Sequence, residues 1–303
     1  MSFTDISVNI HDKALVKEVS NAFLILCERG RYPLYPAINI LGLRVGTYSL
    51  CVLAGLFICC FLGIYLGKKR GVRYYQDIVL ALIAVGIGLL IGGHLLFFFT
   101  IIGKIVAFIA ATDGLTAKDA LSLVFTAFGG NVFYGGLLGA IGALLLFTKL
   151  IKTIDRSDLF DIFAVCVPLF HAFGRVGCFF GGCCFGIECS IGFTAHGNEI
   201  VPMLNDVNRF PVQLLEAFLN LCIFVLILSF FMKQRYKGEL LVVYLFLYSI
   251  VRFFDEFLRG DEMRGRFLCF STSQWISIFI FAFVMVYITY IRPKKKRTKE
   301  TIS

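Results

Sequence analysis

The stretch HAFGRVGCFFGGCCFG (171–186) places a histidine, an arginine, three cysteines and five glycines at the end of a mostly apolar run. Each side-chain type can do chemistry: an imidazole can move a proton, a guanidinium can grip an oxyanion with its bidentate fork, and a thiol can act as a nucleophile or a metal ligand. His171 and Arg175 are four residues apart, hence on one helix face, and Arg252 and Glu256 repeat that spacing. The ionisable residues inside apolar segments are His94, His171, Arg175, Glu216, Arg252, Asp255 and Glu256. Each costs roughly 2.5–3.5 kcal/mol to insert into a bilayer, so each is a functional candidate, the alternative being an ion pair that only fixes packing. Two arginines at one depth suit a phosphate, and in a membrane the phosphate at hand is a lipid headgroup.

These residues must be positioned by membrane helices. Of the 303 residues, 58% are hydrophobic and 16% charged, against about 25% charged in a soluble domain. Apolar segments at roughly 46–66, 77–99, 131–150, 159–183, 211–231, 239–258 and 272–290 reach or approach the length of about 20 residues that a crossing needs. The pattern predicts an all-α integral membrane protein of about seven transmembrane helices. Residues 1–45 read as an exoplasmic arm, with YPLYPAINI extended by its prolines, 46–291 as one transmembrane domain without repeat or linker, and 292–303 as a basic cytoplasmic tail. The segment 118–128 is too short to cross and reads as a surface or re-entrant helix. Residues 1–20 lack the apolar core of a cleavable signal, so the first span is expected to direct insertion.

The net charge of +9 does not imply nucleic acid, because the basic residues cluster at span ends. Four short segments (67–76, 149–158, 232–238 and 291–303) hold 16 Lys and Arg, while the other, longer set holds 11. The positive-inside rule then places the N-terminus outside and the C-terminus in the cytoplasm. With that orientation all seven intramembrane ionisable residues fall between the midplane and the outer face, and a site there would open to the outer leaflet.

Other features have simpler readings. Gly135 and Gly139 have the small-xxx-small spacing of close helix packing. Tyr134 begins that run, and its hydroxyl could face the same chamber. Cys51, Cys59, Cys60, Cys166 and Cys222 read as small apolar fillers. Cys178, Cys183, Cys184 and Cys189 are spaced C-x4-C-C-x4-C, whereas zinc motifs use two separated C-x2–4-C pairs; no metal or other cofactor is expected, and these four are secondary candidates. Cys184 or Cys189 could instead form a disulfide at an oxidising face.

In order along the chain, LRVGTYSL (43–50), FYGGLLG (133–139), GRVGCFFGGCCFG (174–186), FPVQLLEAFLN (210–220), YSIVRFFDEFLRGD (248–261) and STSQWISI (271–278) resemble the motifs of bacterial prolipoprotein diacylglyceryl transferases. The third is similar to that family's G-R-x-G-N-F-x-N-x-E-x-x-G. The resemblance covers nearly the whole chain. It implies a multi-pass enzyme of the bacterial plasma (inner) membrane that moves a diacylglyceryl group from phosphatidylglycerol to the lipobox cysteine thiol of a prolipoprotein. The product is a thioether and the leaving group glycerol 1-phosphate. It implies catalytic roles for Arg175, Arg252, Tyr248 and Glu256, and substrate contacts by Tyr48, Gly135, Gly136, Glu216 and Arg259.

The chain departs from the pattern at four positions. Tyr134 stands where the family has a histidine, Cys178 and Gly181 where it has asparagines, and Cys183 where it has a glutamate. His171, or else His94, is then the candidate for the missing acid–base group. The alternatives are a transferase with another thiol acceptor, or a non-catalytic lipid- or metal-binding membrane relative; a transporter would need an inverted repeat.

Overall fold

The computed structural model describes residues 37–40, 43–72, 75–111, 116, 133–195, 204–261 and 266–293. The expectations for the arm before residue 37, for 118–128 and for the tail beyond 293 lie outside these. All seven apolar segments are helices: α1 (Thr47–Lys69), α2 (Tyr75–Ala111), α3 (Phe133–Leu150), α4 (Arg156–Gly181), α5 (Val212–Met232), α6 (Leu240–Asp255) and α7 (Thr272–Val286), which runs on as a π-helical turn to Ile291. Five are long and apolar enough to cross a bilayer: α1, α2, α4, α5 and α7 with its extension. The apolar part of α3 is shorter, and α6 has 16 residues. The chain is an integral membrane protein. Large side chains such as Phe57, Phe61, Ile91, Phe99, Leu138, Val225 and Phe279 point outward, where only lipid can cover them.

Helix α2 extends past its expected end at 99, because TIIGKIVAFIAA keeps the apolar character to Ala111. Helix α6 stops at Asp255, before the expected 258, and tightens into a 3₁₀ turn at Glu256–Leu258. Three small antiparallel hairpins join the helices. Strand β1 (Ala37–Ile40) pairs with β2 (Leu43–Gly46), β3 (Glu188–Thr194) with β4 (Asn208–Arg209), and β5 (Arg266–Phe267) with β6 (Phe270–Ser271). Only the extended character of the first was expected.

Packing divides the chain into two compact units. Among the described residues, one comprises those up to Leu56, those within Val167–Ile227 and those from Val242; the other comprises those within Phe57–Cys166 and Leu228–Leu241. In the second unit α2 meets α3 through glycines. A Cβ on Gly88, Gly92, Gly135 or Gly139 would collide with a backbone carbonyl of the facing helix, and one on Gly136 would lie 3.1 Å from Leu89 O. The same unit holds the fully buried Asp161, which accepts from Gly238 N at 2.8 Å and Leu240 N at 3.2 Å and so caps the start of α6. Arg70 lies 3.6 Å from Asp161 and 3.7 Å from Asp158, and Lys237 lies 3.2 Å from Asp158. Cys59 and Cys166 each donate to the other's carbonyl and are buried, as expected of packing cysteines.

Gly139→Leu should destabilise the protein by at least the roughly 3 kcal/mol at the upper end of ordinary overpacking. Gly142→Ala, where nothing lies within 4 Å, should be neutral. Thermal unfolding in detergent, followed by size-exclusion chromatography, checks both.

Candidate active site

The site is built in the first unit around one carboxylate. Glu216 lies one turn into α5 and is 1% exposed. A carboxylate so deep must be compensated, and three partners converge on its Oε1. Arg175 Nη2 of α4 lies 2.9 Å away, His171 Nε2 of the same helix face 3.6 Å, and the Tyr248 hydroxyl of α6 donates to it at 3.2 Å. The His171 and Tyr248 rings pack at 4.9 Å, and Tyr244 stacks on Tyr248. Asp255 lies within hydrogen-bonding reach of Glu216. The i, i+4 pair His171/Arg175 therefore serves a single acid on a neighbouring helix.

Arg252 closes a second network. Its Nη1 donates to Asp255 Oδ2 at 3.2 Å and its Nη2 to Ser273 Oγ at 3.1 Å, with Glu256 Oε2 2.6 Å from Nη2. The S-x-x-Q element acquires a physical meaning here. Ser271 and Gln274 form a reciprocal capping box at the start of α7, which presents Ser273 to Arg252. Arg259 donates through Nε and Nη2 to both oxygens of Asp261, at 2.9 and 2.7 Å. Among the described residues, the buried guanidinium nitrogens without a hydrogen-bond partner in these networks are Arg175 Nε and Arg259 Nη1.

The cysteine-rich loop follows from how α4 ends. Gly182 has φ +71°, its N–H donates to Phe179 O, and Cys183 N–H donates to Cys178 O. This is a Schellman cap, which sets the residue at C″ against the one at C3. Here those residues are Cys183 and Cys178. Cys184 also takes a left-handed backbone, φ +58°, and the Sγ atoms of Cys178, Cys183 and Cys184 lie within 4.8 Å of one another. Gln213 Nε2 holds Cys183 O at 2.8 Å. Backbone bonds Ile187 N→Leu258 O, Phe210 N→Ile187 O and Gly260 N→Phe185 O tie this loop to the starts of α5 and of the segment after α6. A Cβ on Gly186 would collide with Phe210 O, and one on Gly260 with Gly186 O, which explains the last glycine of the motif. Gly177 lets Tyr48 of α1 approach, with its ring 3.1 Å from where a Cβ would stand.

The thiol of Cys184 is held far below the ordinary thiol range. Hydrogen bonds from the Cys178 and Cys183 thiols are the main cause, followed by the charges of Arg259 and Arg175.

Of the residues singled out from sequence, Tyr48, His171, Arg175, Glu216, Tyr248, Arg252, Glu256, Arg259, Cys178, Cys183 and Cys184 lie in the first unit. Tyr134, Gly135, Gly136 and His94 belong to the second. Cys189 lies on β3, outside the thiol group. Sequence reasoning missed Gln213, Ser273 and Asp261. All three stand inside quoted motifs, but the roles of the first two as braces depend on partners more than 20 residues away.

Apolar spans that bury arginines and carboxylates in shared networks define an integral membrane protein with a charged site among its helices. The chain matches the prolipoprotein diacylglyceryl transferase family over residues 36–290 and belongs to it. It is 32% identical over 247 residues to phosphatidylglycerol–prolipoprotein diacylglyceryl transferase 2 of Clostridium perfringens, covering 80% of this chain and 89% of the relative. It is 29% identical to the corresponding transferase of Clostridium tetani (80% and 91% covered) and 27% identical to that of Campylobacter hominis (87% and 92% covered).

Glu216→Ala leaves Arg175 without its acid and should cost about 3–5 kcal/mol of stability, as for other broken buried pairs, read as a lowered melting temperature in detergent. Because the pKa of Cys184 is lowered, its thiolate persists as pH falls. In chelator-treated protein its alkylation by iodoacetamide, followed by peptide mapping, should change little between pH 8 and 6, where a thiol of pKa about 8.5 slows roughly 75-fold.

Proposed function

We propose that this protein transfers the diacylglyceryl group of phosphatidylglycerol to a cysteine thiol of a prolipoprotein lipobox and releases glycerol 1-phosphate. The acceptor sulfur attacks the glyceryl carbon next to the phosphate, the C–O bond breaks, and its electron pair leaves with the phosphate; the thiol proton goes to the medium. Membership of the family and the names of its relatives support the reaction. The single structural observation that supports the assignment to this site is that, of the described arginines with a buried nitrogen lacking a hydrogen-bond partner (Arg70, Arg175, Arg209, Arg259 and Arg292), Arg175 and Arg259 are the two beside the Cys184 thiol. We assign both to the phosphate, where they offset the charge that grows on the leaving group. Arg252 is directed at Asp255, Ser273 and Glu256, so we assign it to holding α6, Glu256 and α7 in place. His171 faces Glu216 and Tyr248 and positions Glu216 and, through it, Arg175. Tyr48 lines the same loop; Gly135 and Gly136 remain proposed substrate contacts by resemblance, and Tyr134, which stands where the family has a histidine, remains a proposed catalytic residue. We place the protein in the bacterial inner membrane with the site open to the outer leaflet, on the distribution of its basic residues.

The test is turnover by purified protein in detergent with phosphatidylglycerol and a lipobox peptide, following glycerol phosphate. Release should require the peptide's cysteine. Arg175→Lys keeps a charge but loses the fork, and should lower kcat about 10²–10³-fold, the scale of losing one oxyanion donor. His171→Ala should lower kcat about tenfold, a smaller loss than removal of a proton-transfer group, and His171→Gln should restore most of it. Complete inactivity of both would make His171 the base. No release by folded protein would refute the transferase reading.

A further inference from the structure

Cys178 and Cys183 replace polar groups of the family pattern, Cys184 stands at one of its variable positions, and the Cys184 thiol is hydrogen-bonded to Arg259. The arrangement of the three thiols is built into the fold. The Schellman cap sets Cys183 over Cys178, the left-handed turn at Cys184 brings in the third sulfur, and Gln213 with the backbone bonds around Gly186 fixes the loop. Three sulfurs within 4.8 Å of one another are close to the edge of about 3.8 Å that a tetrahedron of Zn–S bonds near 2.3 Å requires. Small χ1 rotations close the difference. Sulfur is the donor that selects thiophilic ions. Among the described residues the group of ligand-type side chains ends at three, which is the composition of a catalytic site with an open position rather than a closed structural one. Three thiolates around a divalent ion leave one net negative charge, and Arg259 and Arg175 stand beside Cys184 to balance it.

We propose that Cys178, Cys183 and Cys184 bind a zinc ion whose fourth position takes the acceptor thiol. The proposal rests on the transferase reading above. A thiol that coordinates zinc is deprotonated outright, so the ion does the work for which this chain lacks the family's histidine. The acceptor S–H binds zinc and releases its proton to water. The zinc-bound sulfur attacks the glyceryl carbon, and the C–O electron pair departs with glycerol phosphate beside Arg175 and Arg259. The thioether formed is a weak ligand and dissociates. No electron changes hands, and the only added component is zinc from the medium.

The experiment measures metal in the full-length protein purified in detergent without chelators. About one zinc per chain is expected, the stoichiometry of a single mononuclear site. Cys178→Ser and Cys183→Ser should lose it and Cys222→Ser should keep it. Cobalt substituted into the chelated wild-type protein should give thiolate charge-transfer bands. A lipobox peptide should shift those bands, and its serine analogue should not. No zinc and no cobalt bands in folded wild-type protein, or a Cys178–Cys183 disulfide in protein purified anaerobically, would overturn the site. Cobalt bands indifferent to the peptide would overturn the acceptor position. Turnover that survives complete zinc removal would overturn this inference and leave the transferase standing. Zinc and a peptide-dependent shift without any release of glycerol phosphate would do the reverse.

Discussion

A single buried acid organises the first unit. Glu216 cannot stay ionised at 1% exposure without a cation and donors, and its partners come from two other helices, Arg175 and His171 from α4 and Tyr248 from α6. Each helix is apolar enough to slide or rotate against its neighbours in lipid, where hydrophobicity gives no preference for one packing over another. The shared carboxylate removes that freedom. It sets the rotation of α4 by choosing the face that carries residues 171 and 175, and it places the guanidinium of Arg175 with one N–H still unspent. Rotation of α4 in turn decides where its last turn, and so Cys178, must lie.

The arginines divide by how fully their donors are used. Arg252 is held by Asp255, Ser273 and Glu256, an arrangement that ties α6 to the capping box of α7. Arg175 and Arg259 each spend part of the fork on an acid and keep a nitrogen in reserve. An arginine already half neutralised is cheaper to bury than a bare one, and it still binds an anion. This explains how two such groups can be buried among apolar helices.

Much of this was legible in the sequence, for physical reasons. Long apolar runs mark helices because only satisfied backbone enters lipid, and all seven runs are helices. Small residues at four-residue spacing mark helix contact, and Gly135 and Gly139 pack on α2. The i, i+4 pairs marked a face. Partner identity was not legible. Periodicity places His171 and Arg175 together but cannot say that Glu216, 41 and 45 positions away, is what they share. Arg252 looked equivalent to Arg175, and Arg259 secondary, until their acids were in view. The second and third hairpins were missed because β4, β5 and β6 hold only two residues each and carry no periodic signal.

The cysteine spacing shows the same limit most sharply. Read along the chain, C-x4-C-C-x4-C lacks the two separated pairs of zinc motifs and argues against a common ligand set. Read through the helix end, its first interval is the spacing that a Schellman cap demands. Residues C3 and C″ are five apart in sequence and adjacent in space, because Gly182 reverses the chain between them. Spacing rules are statements about particular backbone turns, and a left-handed helix cap is a different turn from the one within such a pair. The glycine between the cysteines carries the information. Its position at C′ converts a spacing that looks wrong for a shared site into one that brings the sulfurs together.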